Sequence, residues 1–335
     1  MKPSAIFLAA ILFASLPALA QPPFKVADRV KLGGEGFWDY LTYESQGQRL
    51  FITRGTHVVV VDTTSLKVSG DIPDLSGIHG VALAPELNRG FVSNGGDNTV
   101  TVFDLQTLEK LASVKVGDRP DAILYDPHSK RVFTFNAKSQ NATAVDAATG
   151  KVSGTIPLGG KPEFPATDDK GKLYVNIEDK NQLAELDANN LAVLHTWSIP
   201  PCEEPSALAL DVAHHRLFSG CRNKMMAVVD SDSGRVMTTV PIGEGVDAGR
   251  FNPNTQQVFM SCGEGVLTII HEDSPDKYTV QQTLPTAKGA RTMALDKEHN
   301  VAYLVTAQRE DKPAAPGQRP AMVPGSFELI VVKPE

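Results

Sequence analysis

The chain has 335 residues, 41% hydrophobic and 21% charged, a composition that excludes both a disordered chain and one made largely of membrane spans. Its 32 basic and 39 acidic residues leave a net charge of −7. General binding to nucleic acid needs clustered Lys and Arg to neutralise phosphates, so that class of partner is disfavoured.

Taken in chain order, the first element is MKPSAIFLAAILFASLPALA: one Lys2, an apolar run over residues 5–16, then Ala18-Leu19-Ala20 ahead of Gln21. This is the pattern of a cleaved signal peptide over residues 1–20, and the run is shorter than the roughly 20 residues needed to cross a bilayer. The expected mature chain, 21–335, is soluble and periplasmic or secreted, with no membrane span and no lipid-attachment cysteine at its start. Its charge becomes −8 once Lys2 is lost.

The rest of the chain repeats. An aromatic preceded by an apolar and a basic or polar residue recurs at Phe51, Phe91, Phe133, Tyr174, Phe218, Phe259 and Tyr303, at steps of 40, 42, 41, 44, 41 and 44. A β-rich run ends in Asp at Asp62, Asp104, Asp146, Asp187 and Asp230, at steps of 42, 42, 41 and 43; in the last two units the position falls on His271 and Lys333. A tight turn and a second alternating run, such as KVSGTI or RVMTTV, follow each Asp. Each unit therefore reads as four short strands, and seven such units predict an all-β, seven-bladed propeller of antiparallel blades. The last unit stops at its third strand, near Val332. Residues 25–32 are predicted to supply the missing fourth strand and so to close the ring.

The segments RLFITR, RGFVSN, RVFTFN, KLYVNI, RLFSGC, QVFMSC and VAYLVT, with turns such as Tyr125-Asp126-Pro127 before them, resemble the YVTN repeats of the YncE-like β-propeller family. The resemblance covers essentially the whole mature chain. It implies an exported propeller of unsettled function, with nucleic-acid binding among the few activities suggested.

Function in such a ring collects where loops lead into the innermost strands, around the channel. Aligning the seven units places Asp39, Gly80, Asp121, Glu163, Ser206, Asp247 and Arg291 there, with His79 beside Gly80. Four carboxylates suit a divalent cation or a cationic ligand, and Arg291 offers a fork for a carboxylate or phosphate; alternatively the ring merely solvates a polar channel. Asp39, Asp121, Glu163 and Asp247 are the candidate metal ligands. The loop Pro200-Pro201-Cys202-Glu203-Glu204-Pro205 adds Glu203 and Glu204, and Arg222 is placed to point into the mouth.

Cys202 and Cys221 are predicted to pair in an oxidising compartment, because antiparallel pairing returns the end of one strand beside the start of its neighbour. Cys262, one unit on, reads as a small buried residue. The Pro-rich segment 309–326 is predicted to lie over the channel face as a lid or surface loop. His271-Glu272-Asp273 and Asp230-Ser231-Asp232-Ser233-Gly234 read as inter-strand turns rather than metal sites, and His214 and His215 as solvent-facing. Trp38 could cover the channel or pack.

Motifs for a serine-hydrolase elbow, a P-loop, a zinc protease and haem attachment are all missing, and no catalytic residue is assigned. The readings that remain are a binding scaffold for a small ligand, metal ion or protein partner, a metal-dependent lactonase-like or lyase-like enzyme with His79 as acid or base, and a binder of single-stranded nucleic acid. No cofactor is implied beyond a divalent cation.

Overall fold

The structure, a computed structural model, describes residues 22–310 and 320–335. The leader with its cleavage site, and the middle of the Pro-rich segment, lie outside these. Seven four-stranded antiparallel sheets stand side by side, built from residues 41–72, 78–115, 120–157, 162–198, 205–241, 246–285 and 293–334 (blades 1 to 7). The last of these has only three strands from its own span. Phe24–Lys31 pairs with Glu328–Pro334 as the fourth, so the ring closes as the sequence predicts. Among the described residues no helix is long and apolar enough to cross a membrane.

The repeat has a packing cause. The second and third strands of each blade have a neighbouring blade on both faces, so they read as near-continuous apolar runs, as in Val58–Asp62, while an outermost strand such as Lys110–Lys115 is almost wholly exposed. The recurring aromatics are wedges between blades. Phe51 packs with Val92 and Phe103 of blade 2, Phe91 with Val132 of blade 3, Phe133 with Leu173 of blade 4 and Tyr174 with Leu217 of blade 5. Phe218 meets Val258, Phe259 meets Leu304, and Tyr303 meets Leu41 and Ile52 of blade 1. Each ring is at most 5% exposed, and burying one is worth about 2–3 kcal/mol. Among the described residues there are accordingly seven apolar cores, one at each interface.

The recurring Asp has a different task. At the end of the third strand its carboxylate accepts amides of the next turn, from Ser65 at 2.7 Å for Asp62, Thr149 at 2.7 Å for Asp146 and Ser233 at 2.9 Å for Asp230. These are Asx turns, and their hydrogen bonds hold the carboxyls of Asp62, Asp104, Asp146 and Asp187 below the usual range. The segment after Val266 runs as a strand to Ser274 and turns at Pro275-Asp276, so a hairpin does form there, but Glu272 faces inward and is fully buried.

Candidate functional site

Five innermost strands, in blades 2 to 6, carry a β-bulge within their first residues: the pairing register shifts after Ile78, Pro120, Pro162, Pro205 and Val246. A bulge re-aims the residue that follows it. That residue is His79, Asp121, Glu163, Ser206 or Asp247. The register corrects the sequence alignment in blade 2: His79, and not Gly80, is the counterpart of Asp121, since both follow the first paired residue of their strands. Ser206 is fully buried and donates to the Val246 carbonyl at 2.8 Å, so blade 5 adds no charge at this position. In blades 1 and 7 the strands begin at Leu41 and Met293, and Asp39 and Arg291 stand just ahead of them.

Asp39, His79, Asp121, Glu163, Asp247, Arg291 and Arg222 all line one cavity of about 730 Å³ on the ring axis, together with Arg119, Arg309, Phe37, Trp38 and Tyr40. That volume lies within the range of small-molecule sites. Tyr40 packs against Phe164 with its ring tilted by 51°, the centroids 4.8 Å apart, and the Arg250 guanidinium lies 4.6 Å from the Phe164 ring. Tyr40 lines the mouth, while Phe164 and Arg250 line a second cavity.

The charges form two chains. In one, Arg291 Nε donates to Asp247 Oδ2 at 2.6 Å and Nη2 lies 3.6 Å from Asp39; His79 Nδ1 is 2.7 Å from Asp39 and 3.5 Å from Asp121. In the other, Lys161 Nζ donates to Glu163 at 2.6 Å and also to Glu178, while Arg222 lies 3.1 Å from Glu178 and 3.5 Å from Glu204. Burial raises the carboxyls of Asp39, Asp121 and Asp247 above the usual range, and their mutual repulsion adds to it. Glu163 is pushed up to about 8, first by burial and then by the charge of Asp121. Burial works against the His79 imidazolium, but the bond to Asp39 and the charge of Asp121 outweigh it and raise its pKa.

Glu203 belongs to the loop 200–203, which lines a separate pocket, and Glu204 pairs with Arg222, but neither lines the cavity. That loop is tied down by the Cys202–Cys221 disulfide, Cα to Cα 5.4 Å, with both cysteines in the apolar cluster between blades 4 and 5. Cys262 is fully buried and burial pushes its thiol up to about 12, as suits a packing residue. Trp38 both lines the cavity and packs on Phe327, ring centres 5.7 Å apart, and Arg309 reaches over it at 5.4 Å. The described ends of the Pro-rich segment meet in an antiparallel bridge between Arg309 and Met322, against Phe37 and Trp38 beside the mouth.

The sequence reading missed Lys161 and Glu178. Lys161 was legible in principle, two residues ahead of Glu163 and just before its strand, whereas Glu178 follows the neighbouring strand Lys172–Ile177 and meets Lys161 only because that strand pairs with Pro162–Thr167.

No protein-family model matches the chain, and no curated protein matches it in sequence. Solved structures do. A chain of Kuenenia stuttgartiensis hydrazine synthase superposes with a TM-score of 0.68 at 16% identity, over 88% of this chain and 96% of that one. A chain of a mitotic checkpoint complex superposes with a TM-score of 0.76 at 15% identity, over 99% and 98%. At such low identity the likeness speaks for architecture alone, and it agrees with the strand pairing that this chain is a seven-bladed β-propeller.

Proposed function

We propose that the protein is an exported binding scaffold whose channel mouth takes a small molecule bearing a positive charge. The observation that carries this reading is the convergence of Asp39, Asp121, Glu163 and Asp247 on one cavity in which each is driven toward its neutral form. A cation placed among them relieves both burial and repulsion. The exposed Phe37 at the rim adds a ring face for such a group, and the guanidinium groups of Arg119 and Arg222 suit an anionic end left at the mouth. All four carboxylates already lie within 3.5 Å of a His, Lys or Arg nitrogen, so a metal enzyme using all four as ligands has to break those contacts first. An acidic floor also repels the phosphates of a nucleic acid.

One observation favours a second reading, a divalent cation: donor atoms of Asp39, His79 and Asp121 lie within 4.8 Å of one another. Calorimetric titration separates the two. Glycine betaine or putrescine is expected to bind, and Asp121→Asn to weaken that binding at least about tenfold, the usual loss for a buried charge partner. Response to manganese or calcium alone supports the second reading, and response to neither kind of probe discards both.

The pH dependence has a definite sign. A fixed positive charge favours ionised Glu163, so betaine affinity should rise as pH climbs through about 8. For folding the sign is opposite. A carboxyl raised from its ordinary 4.5 to about 8 contributes stability that is full below 4.5 and lost as pH rises through 8. Thermal melts of the ligand-free protein should therefore fall over that window, and Glu163→Gln should flatten the fall. An unchanged slope in that variant contradicts the assignment.

Export rests on the leader sequence and is supported by the Cys202–Cys221 bond. Protein recovered from its native compartment is expected to begin at Gln21 on mass spectrometry, and a chain retaining Met1 overturns this. The bond closes a loop with a sequence separation of 19. Replacing both cysteines by alanine should cost about 3 kcal/mol in denaturant unfolding.

A further inference from the structure

We propose that Asp211, His214 and Glu272 form a second site, separate from the channel mouth, which holds a first-row transition ion of the zinc class across the junction of blades 5 and 6. Asp211 ends the innermost strand Pro205–Asp211, His214 lies in the turn that follows, and Glu272 sits in Val266–Ser274 of the next blade. Innermost strands begin at the mouth, so their ends place this site on the opposite face of the ring.

His214 Nδ1 lies 2.6 Å from Asp211 Oδ2 and 3.5 Å from Glu272 Oε1. All three residues offer a donor atom within a 4.8 Å span. A tetrahedral ion with bonds of about 2.0–2.1 Å sets its ligand atoms about 3.3 Å apart, so small shifts accommodate one here. An imidazole with two carboxylates suits zinc or manganese better than calcium, which prefers oxygen throughout. His214 is one-third exposed, which leaves room for a water or further ligand.

Glu272 points to an occupant independently of the cluster. Its carboxylate is fully buried, and Oε2 has no hydrogen-bond donor. Oε1 has the Tyr278 hydroxyl at 3.1 Å, but that hydroxyl has one proton and the Pro275 carbonyl is nearer, at 2.9 Å. The adjacent Arg216 is directed to Asp230, Asp276 and backbone carbonyls.

The repeat supplies an internal control. The Asp that ends the innermost strand of blade 3, Asp126, receives the Thr167 hydroxyl of blade 4 at 3.1 Å. Its counterpart in blade 7, Asp296, pairs with His299 at 2.8 Å and receives the Tyr43 hydroxyl of blade 1 at 3.0 Å. In blade 5 the next blade presents a second acceptor where those two blades receive a donor. A cation reconciles the pair, and being shared between blades it also staples them.

The test uses the full mature chain, stripped with a chelator and titrated with zinc while bound metal is counted by elemental analysis. Wild type is expected to hold a zinc ion that Asp121→Asn retains, while His214→Ala and Glu272→Gln bind it at least about tenfold more weakly. Cobalt in place of zinc should give a visible band that is lost in His214→Ala. Should Glu272→Gln fail to fold, the partly exposed His214 still decides. Zinc binding unchanged in His214→Ala, or no binding by wild type, overturns the proposal and leaves Glu272 as a neutral acid sharing a proton with Asp211.

Discussion

Deleting residues 22–31 should leave a chain that no longer melts cooperatively, the largest loss expected from any change to this molecule. The strand Phe24–Lys31 pairs from Phe24 opposite Pro334 to Lys31 opposite Glu328. Phe24 is 3% exposed and meets the Phe259 ring edge-on at 5.5 Å, while Arg29 donates to the Thr286 carbonyl and to Glu328. A net gain of about 1 kcal/mol for each backbone hydrogen bond, with the burial of Phe24, brings the strand's contribution close to the whole stability of an ordinary domain, about 5–15 kcal/mol. Without it, Glu328–Pro334 also becomes an open edge that invites aggregation. Phe24→Ala is the graded version and should cost about 3–4 kcal/mol by denaturant titration. A deletion variant that melts like wild type would show that the ring stays shut without its splice.

Arg54→Ala should be the most damaging single substitution, at about 3–5 kcal/mol, because it leaves a cavity where a large buried side chain stood and cuts the three hydrogen bonds that hold the 33–36 loop. The Arg54 side chain is 1% exposed. It donates to the carbonyls of Gly33 at 3.0 Å, Glu35 at 2.8 Å and Gly36 at 3.3 Å, and its guanidinium carbon lies 3.6 Å from the centre of the Phe327 ring. Burial lowers its pKa to about 10, so it stays charged at neutral pH. Gly36 has φ +89, and a Cβ there would lie 3.1 Å from the Arg54 carbonyl oxygen, so the loop cannot easily be rebuilt around another residue. Arg54→Lys keeps the charge without the fork and should recover only part of the loss. Residues 33–36 join the closing strand to Asp39, so the same alanine variant should also weaken ligand binding at the mouth. Wild-type melting in that variant would contradict the anchoring role.

The architecture was legible because its signals are local and repeated. The aromatics recur since each fills the same gap between blades, and the aspartates recur since each caps the same turn. The closing strand and the Cys202–Cys221 pair followed from counting strands and from antiparallel return. What stayed hidden arises where residues meet across blades. The position given to Gly80 was legible, since His79 stands twelve residues ahead of Phe91 as Asp121 stands twelve ahead of Phe133. Glu203 and Glu204 looked like mouth residues because their loop leads into a strand, yet the disulfide holds that loop to the rim. His214, expected in solvent, turns toward a buried carboxylate 58 positions further along the chain.

Seven separate interface cores leave Asp39, His79, Asp121, Glu163, Asp247 and Arg291 at the mouth outside the apolar packing. Substitutions at the mouth therefore change what the molecule recognises while the wedges that hold it together go untouched. Descendants of one such ring can diverge in specificity faster than in shape, and the molecule can resemble a great many others in outline while sharing almost no residues with them.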